Sequence, residues 1–132
     1  MKTKILACNY DAETGKSEIT IACRYGIFSA TAKAAAEDMP YASRYLGPEI
    51  AEKKAIIKAL KSHRKDLRIA FNEAWHTFDT FDRSMYSIPK CVYSRMIELK
   101  KKVDAINTQI DIIEKAIDTG VKNYISQKVK NK

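Results

Sequence analysis

Trp75, Phe78 and Phe81 recur at i, i+3 and i+6, a spacing that gathers three aromatic side chains towards one side of a helix. Arg83 and Tyr86 follow, and Tyr93 and Arg95 come soon after. Aromatic faces stack on nucleobases at about 1–3 kcal/mol per base. A guanidinium fork grips a phosphate through two parallel hydrogen bonds. This mixture is therefore suited to a nucleotide. Aromatics at helical spacing also suit an ordinary hydrophobic cap on a helical hairpin, with Arg95 paired to an acid, and both readings stand at this point.

A second cluster comprises Tyr41, Ser43, Arg44, Tyr45 and Gly47, just ahead of Pro48. Arg64 and Arg68 sit at i and i+4, where like charges repel by about 0.2–0.5 kcal/mol. An anionic ligand would relieve that repulsion, and so would Asp66, Asp79, Asp82 or an acid of another chain. Arg24 flanks the Tyr25-Gly26 turn and is a weaker candidate of the same kind. The candidate ligand-binding set is Arg24, Arg44, Arg64, Trp75, Phe78, Phe81, Tyr93 and Arg95.

Catalysis is not expected. The chain has two histidines: His63 falls on an apolar helical stripe and His76 beside the aromatic one. No HExxH, GxSxG, CxxC or glycine-rich phosphate loop occurs, and there are only four glycines in all. Cys8, Cys23 and Cys91 lack metal-clip or redox spacing. Cys8 and Cys23 fall in predicted strands, where reduced core thiols are expected. Neither a metal nor a cofactor is implied.

The chain of 132 residues carries a formal net charge of +8, so its partners should be anionic: nucleotides, nucleic acid, anionic lipid or acidic protein. Much of the excess lies in Lys100-Lys101-Lys102 and in Lys128, Lys130 and Lys132, which also suit a plainly solvated helical surface. Met1 leads into a strand pattern instead of an apolar leader, and no apolar run approaches the roughly 20 residues of a membrane span. A soluble protein of a reducing cytoplasm is expected, with no membrane partner.

These residues must be positioned by two kinds of element. From Ile5 to Lys33 the pattern is β. Glu18 to Cys23 alternates strictly, with Ile19, Ile21 and Cys23 on one face. Asp11 to Gly15 and Tyr25-Gly26 provide the turns, so residues 1–33 form a three-stranded meander that a helix or partner must cover. The stretch from Ala34 to Gly47 is ambiguous, with a possible short helix from Tyr41 to Leu46, Gly47 as its C-cap and Pro48 opening the next helix.

The spacing of Ile56, Leu60, His63, Leu67, Ala70, Ala74, Phe78 and Phe81 predicts a first long helix over 48–81. Asp82 to Ile88 breaks the pattern, with Ser87 as a candidate cap and Pro89 in the first turn of a second helix over 89–126. There Val92, Met96, Leu99, Val103, Ile106, Ile110, Ile113 and Ile117 alternate spacings of four and three. Such a 3.5-residue repeat predicts left-handed supercoiling against a neighbouring helix. Gly120 weakens this helix without ending it. The expected class is α+β in a single domain: an N-terminal antiparallel β-meander followed by a long antiparallel helical hairpin, a coiled coil. Apolar residues outside the seam, Tyr93, Ile97, Ile112 and Ile125, argue for a homo-oligomer, a dimer or higher.

Three stretches carry a family likeness: Tyr10-Asp11-Ala12-Glu13-Thr14-Gly15-Lys16-Ser17, Tyr25-Gly26-Ile27-Phe28, and Ala42 to Glu52. Over roughly residues 5–75 the chain resembles the phage Thoeris anti-defence sponges of the first-described type. The second helix shares only their heptad character. The resemblance implies a protein of the host cytoplasm that binds cyclic ADP-ribose-type signals, and in some members cyclic oligonucleotides, without cleaving them. It also implies pockets where protomers meet, built from aromatic stacking and arginine. The alternative is a phage-encoded protein–protein or nucleic-acid interaction module that inhibits a host defence enzyme, with nucleic acid the lesser prospect.

Overall fold

The computed structural model describes residues 2–33, 46–84 and 87–130, with the side chains of Ile125 and of 127–130 excepted. The chain is α+β, with the order β1 (Thr3–Asp11), β2 (Lys16–Cys23), β3 (Gly26–Lys33), α1 (Leu46–Arg83) and α2 (Lys90–Lys130). Both helices are longer than their apolar periodicity predicts. Arg44 and the cluster around it, the possible short helix before Leu46, and Tyr86 lie outside the described residues.

The three strands form one antiparallel sheet in the order β1-β2-β3. Their turns are local chemistry. The Asp11 carboxylate accepts from the Glu13 amide (2.9 Å), and the Gly15 amide donates to the Asp11 carbonyl (2.8 Å). Gly15 (φ 67°) and Gly26 (φ 128°) hold the positive dihedrals that a side chain would oppose. The β2–β3 register sets Ser17 opposite Ala32, Ile19 opposite Ala30 and Ile21 opposite Phe28.

Contacts divide the chain into two compact units, Met1–Leu60 with Ile110–Lys132, and Lys61–Gln109. The core of the first unit is the covered face of β2 and β3. Ile19, Ile21, Ala30 and Ala32 are buried with Ala51 and Ala55 of α1, and Phe28, Ile50 and Ile56 pack against them. Alanines at 51 and 55 lie one turn apart, and their small side chains let the helix approach the sheet closely. Gly47 serves the same approach. A Cβ there would collide with Ser17 Oγ, and Ser17 is itself buried. Gly47 is thus not a C-cap but part of the first turn of α1, left bare so that the helix can start against β2.

Helix α1 covers only part of the sheet. Seven of the nine β1 residues are exposed, which corrects the expectation of a core thiol at Cys8. Cys23, one strand further in, is half-buried. A bulge between Ile5 and Ala7 shifts the β1–β2 register.

The second unit is an antiparallel helical pair. Leu67 and Ala74 of α1 are buried, as are Leu99 and Ile106 of α2, the latter two both members of the four-three repeat. Arg64 Nη1 donates to Asn107 Oδ1 (2.8 Å), while the Phe78 and Tyr93 rings lie 6.3 Å apart, nearer the connection between the helices. Partners that draw together in sequence as the connection approaches define antiparallel packing. The Pro89 carbonyl accepts from the Val92 amide (3.0 Å), so Pro89 stands just outside α2 as its cap.

Candidate functional site

Near the connection the helical pair opens into a cleft of about 230 Å³, lined by Ala70, Glu73, Ala74 and Thr77 from α1 and by Val92 and Arg95 from α2. Its origin is the small side chains at 70, 74 and 77. They succeed one another at four and three residues along the face where the seam elsewhere carries leucine, so less side-chain volume fills the space between the helices. Thr77 bends its hydroxyl back to the Glu73 carbonyl (3.2 Å), so the hydroxyl is satisfied within its own helix. Glu73 and Arg95 put a carboxylate and a guanidinium on one cleft, both exposed.

The cleft's lining residues Thr77 and Val92 are followed in the chain by Phe78 and Tyr93, and no aromatic ring is among the described lining residues. Phe78 is half-buried and meets Tyr93 in a tilted pair with 39° between the rings. Tyr93 is 54% exposed and Trp75 44%. Trp75 meets His76 edge-on at 5.6 Å. Phe81 is half-buried in the last turns of α1, where its carbonyl accepts from Ser84 Oγ (2.9 Å). Arg83 is held by Asp79 (3.0 Å), an i, i+4 pair that leaves Arg95 as the arginine lining the cleft.

Of the candidate residues, Phe78 and Tyr93 are therefore in contact, and Arg95 lines the cleft beside them. Arg64 is occupied: its guanidinium bonds to Asn107, an amide and not the carboxylate or anion that its Arg68 neighbour suggests. It also lies eleven residues before Trp75, about 16 Å along the helix axis. Arg24 belongs to the other compact unit, where it stacks over the Tyr25 ring at 4.8 Å in the β2–β3 turn. Arg44 lies outside the described residues. Glu73 and Thr77 join the cleft with no motif in the sequence to mark them. Their signal is the run of small residues on the seam face, which reads in sequence only as a weaker stretch of core.

Among the described residues, no group of three or more His, Cys, Asp or Glu side chains could hold a metal, and no helix is long and apolar enough to cross a membrane. No family model, no curated protein and no solved structure matches the chain.

Proposed function

We propose that this is a phage anti-defence protein that binds and sequesters cyclic nucleotide immune signals, cyclic ADP-ribose isomers first among them, without cleaving them. The observation that carries the reading is the Phe78–Tyr93 pair beside a cleft that Arg95 lines. The exposed ring of Tyr93 offers a base a stacking face, Arg95 offers a phosphate its fork, and the Glu73 carboxylate can accept from ribose hydroxyls. A net charge of +8 favours anionic ligands on approach. The likeness of residues 5–75 to the sponge family supports the same chemistry.

The size of the cleft bears on stoichiometry. Sites for ligands of this size usually enclose about 300–1,000 Å³, and this cleft holds about 230 Å³. A second copy would have to complete the enclosure, which agrees with pockets formed where protomers meet. The protein then acts as a homo-oligomer in the host cytoplasm.

Calorimetric titration with glycocyclic ADP-ribose isomers and with cyclic di- and trinucleotides tests the proposal. Binding of at least one, with the ligand recovered intact after denaturation, is the expected result. Absence of both heat and thermal shift with all of them rejects it. Salt-sensitive retention of DNA or RNA in place of these ligands would transfer the +8 charge to a nucleic-acid role.

A further inference from the structure

The two edges of the sheet are finished differently. On the β3 edge, Lys58 reaches across from α1 and donates to the Ser29 carbonyl (2.7 Å), and Lys33 closes the strand. A lysine brought to an edge strand is a common guard against pairing with other chains. On the β1 edge the described devices of this kind, Lys4 and the bulge between Ile5 and Ala7, lie near the start of the strand and none lies between Ala7 and Tyr10. Its central residues from Ile5 to Tyr10 are uncharged, Ile5 and Leu6 are each 49% exposed, and no described strand pairs with its outer side. The uncharged stretch beyond the bulge, Ala7 to Tyr10, is the part of this edge that can template another strand.

We infer that β1 is a self-association edge, on which the β1 of a second copy pairs antiparallel to continue the sheet across a two-fold axis. Charge selects both the occupant and its direction. The strand is basic at its start, with Lys2 and Lys4, and acidic at its end, with Asp11 and then Glu13. Antiparallel pairing lays the basic end of each copy beside the acidic end of the other, whereas parallel pairing sets like charges together.

The bulge between Ile5 and Ala7 leaves Ala7 to Asp11 as the longer regular stretch, so the axis falls between Ala7 and Asn9. Every register with its axis in that range sets Lys4 opposite a residue from Tyr10 to Thr14. Ile5 and Leu6 then supply apolar contact beside the new ladder. A two-fold contact of this kind is self-complementary, as closed dimers require. This inference rests on the sheet alone and is independent of the nucleotide proposal.

Cysteine cross-linking of the full chain tests it. With Cys23→Ala and Cys91→Ala in place, a single cysteine is presented at position 8, which is native, or, with Cys8→Ala added, at position 4, 6, 7, 9 or 11. Antiparallel pairing brings identical residues within disulfide reach only near the axis. The expected result is a covalent dimer that peaks at one position from 7 to 9 and fades towards 4 and 11. In parallel, Leu6→Lys should weaken dimerisation in sedimentation by tenfold or more while leaving the circular dichroism of the protomer unchanged, since Leu6 is half exposed. A chain that stays monomeric overturns the inference. So does a dimer that cross-links at none of these positions, which would place the interface on the helices, and so does equal cross-linking at all of them, which would mean parallel strands.

Discussion

The two compact units bury their apolar residues to different depths. In the sheet unit Ile21, Ala51, Ala55 and Ala59 are fully buried, and the approach of helix to sheet is so close that Gly47 can carry no side chain. In the helical unit the buried set is a single seam of Leu67, Ala74, Leu99 and Ile106, while Ile69, Trp75, Tyr93 and Ile97 stay substantially exposed. Large aromatic rings left half in water lower no folding free energy of the protomer by that exposure. The deeper packing lies in the first unit, yet Ile5, Leu6, Ile27 and Ile112 of that unit are as open to water as the exposed residues of the second, whose aromatic rings alone combine exposure with the cleft.

Ile21 is where the difference in burial has its largest expected effect. It is fully buried, and truncation leaves a cavity that the surrounding β-ladder cannot close. Ile21→Ala should destabilise the protein by about 2–5 kcal/mol in denaturant unfolding. The same truncation at Ile69, which is 50% exposed, should stay within about 0.5 kcal/mol. Similar losses at the two positions would mean that the contrast between the units is not real.

Gly47→Ala probes the closeness of the same packing. The added methyl meets Ser17 Oγ inside a filled core, and overpacking of this kind costs about 1–3 kcal/mol. Among the described residues Ser17 Oγ has no hydrogen-bond partner. Ser17→Ala should therefore be tolerated alone and should recover part of the Gly47→Ala loss in a double-mutant cycle. A cycle with no coupling would remove the steric account of Gly47.

Tyr93→Ala probes the exposed aromatic face of the helical unit. Its ring is more than half exposed and meets Phe78 only in a tilted pair, so unfolding free energy should change little. If the proposed function holds, the same substitution removes a stacking face worth about 1–3 kcal/mol, a loss of roughly tenfold to a hundredfold in nucleotide affinity by calorimetry. Equal losses in stability and affinity would mark Tyr93 as a packing residue.

Much of this division is legible in the residues. Strict alternation from Glu18 to Cys23 and the four-three repeat from Val92 to Ile117 specify their elements, because one face of each must leave water. The exposure of β1 is not legible. Cys8 alternates as well as Cys23 does, but which strands a helix covers is decided by tertiary packing. Gly47 misleads for a related reason: a glycine before a proline reads as a helix stop, and only the nearness of Ser17 shows that the residue is bare for want of space.

At the site, the nearness of Phe78, Tyr93 and Arg95 follows from folding two helices back on each other around a short connection. The cleft itself depends on Ala70, Ala74 and Thr77, and small residues in a seam carry no sequence signal that separates a tight contact from an opening. Arg64 shows the same limit. Its repulsion from Arg68 suggests a missing anion, yet the side chain turns to Asn107 across the pair, a partner more than forty residues away that no local pattern indicates.

The smallest effect concerns Gly120, where the packed unit contains a position that packing does not govern. It lies inside α2, and a Cβ built there meets nothing within 4 Å. Its dihedrals are not in the left-handed region, since the positive values belong to Gly15 and Gly26. An alanine should then raise stability by about 0.5–1 kcal/mol, through helix propensity and the reduced freedom of the unfolded chain, with neither a cavity to fill nor a clash to relieve. The gain should appear as a higher denaturant midpoint at unchanged slope. A loss would mean that another surface, such as a second copy, comes closer to this stretch of α2 than a methyl group allows, and the free space around Gly120 would then belong to the isolated protomer alone.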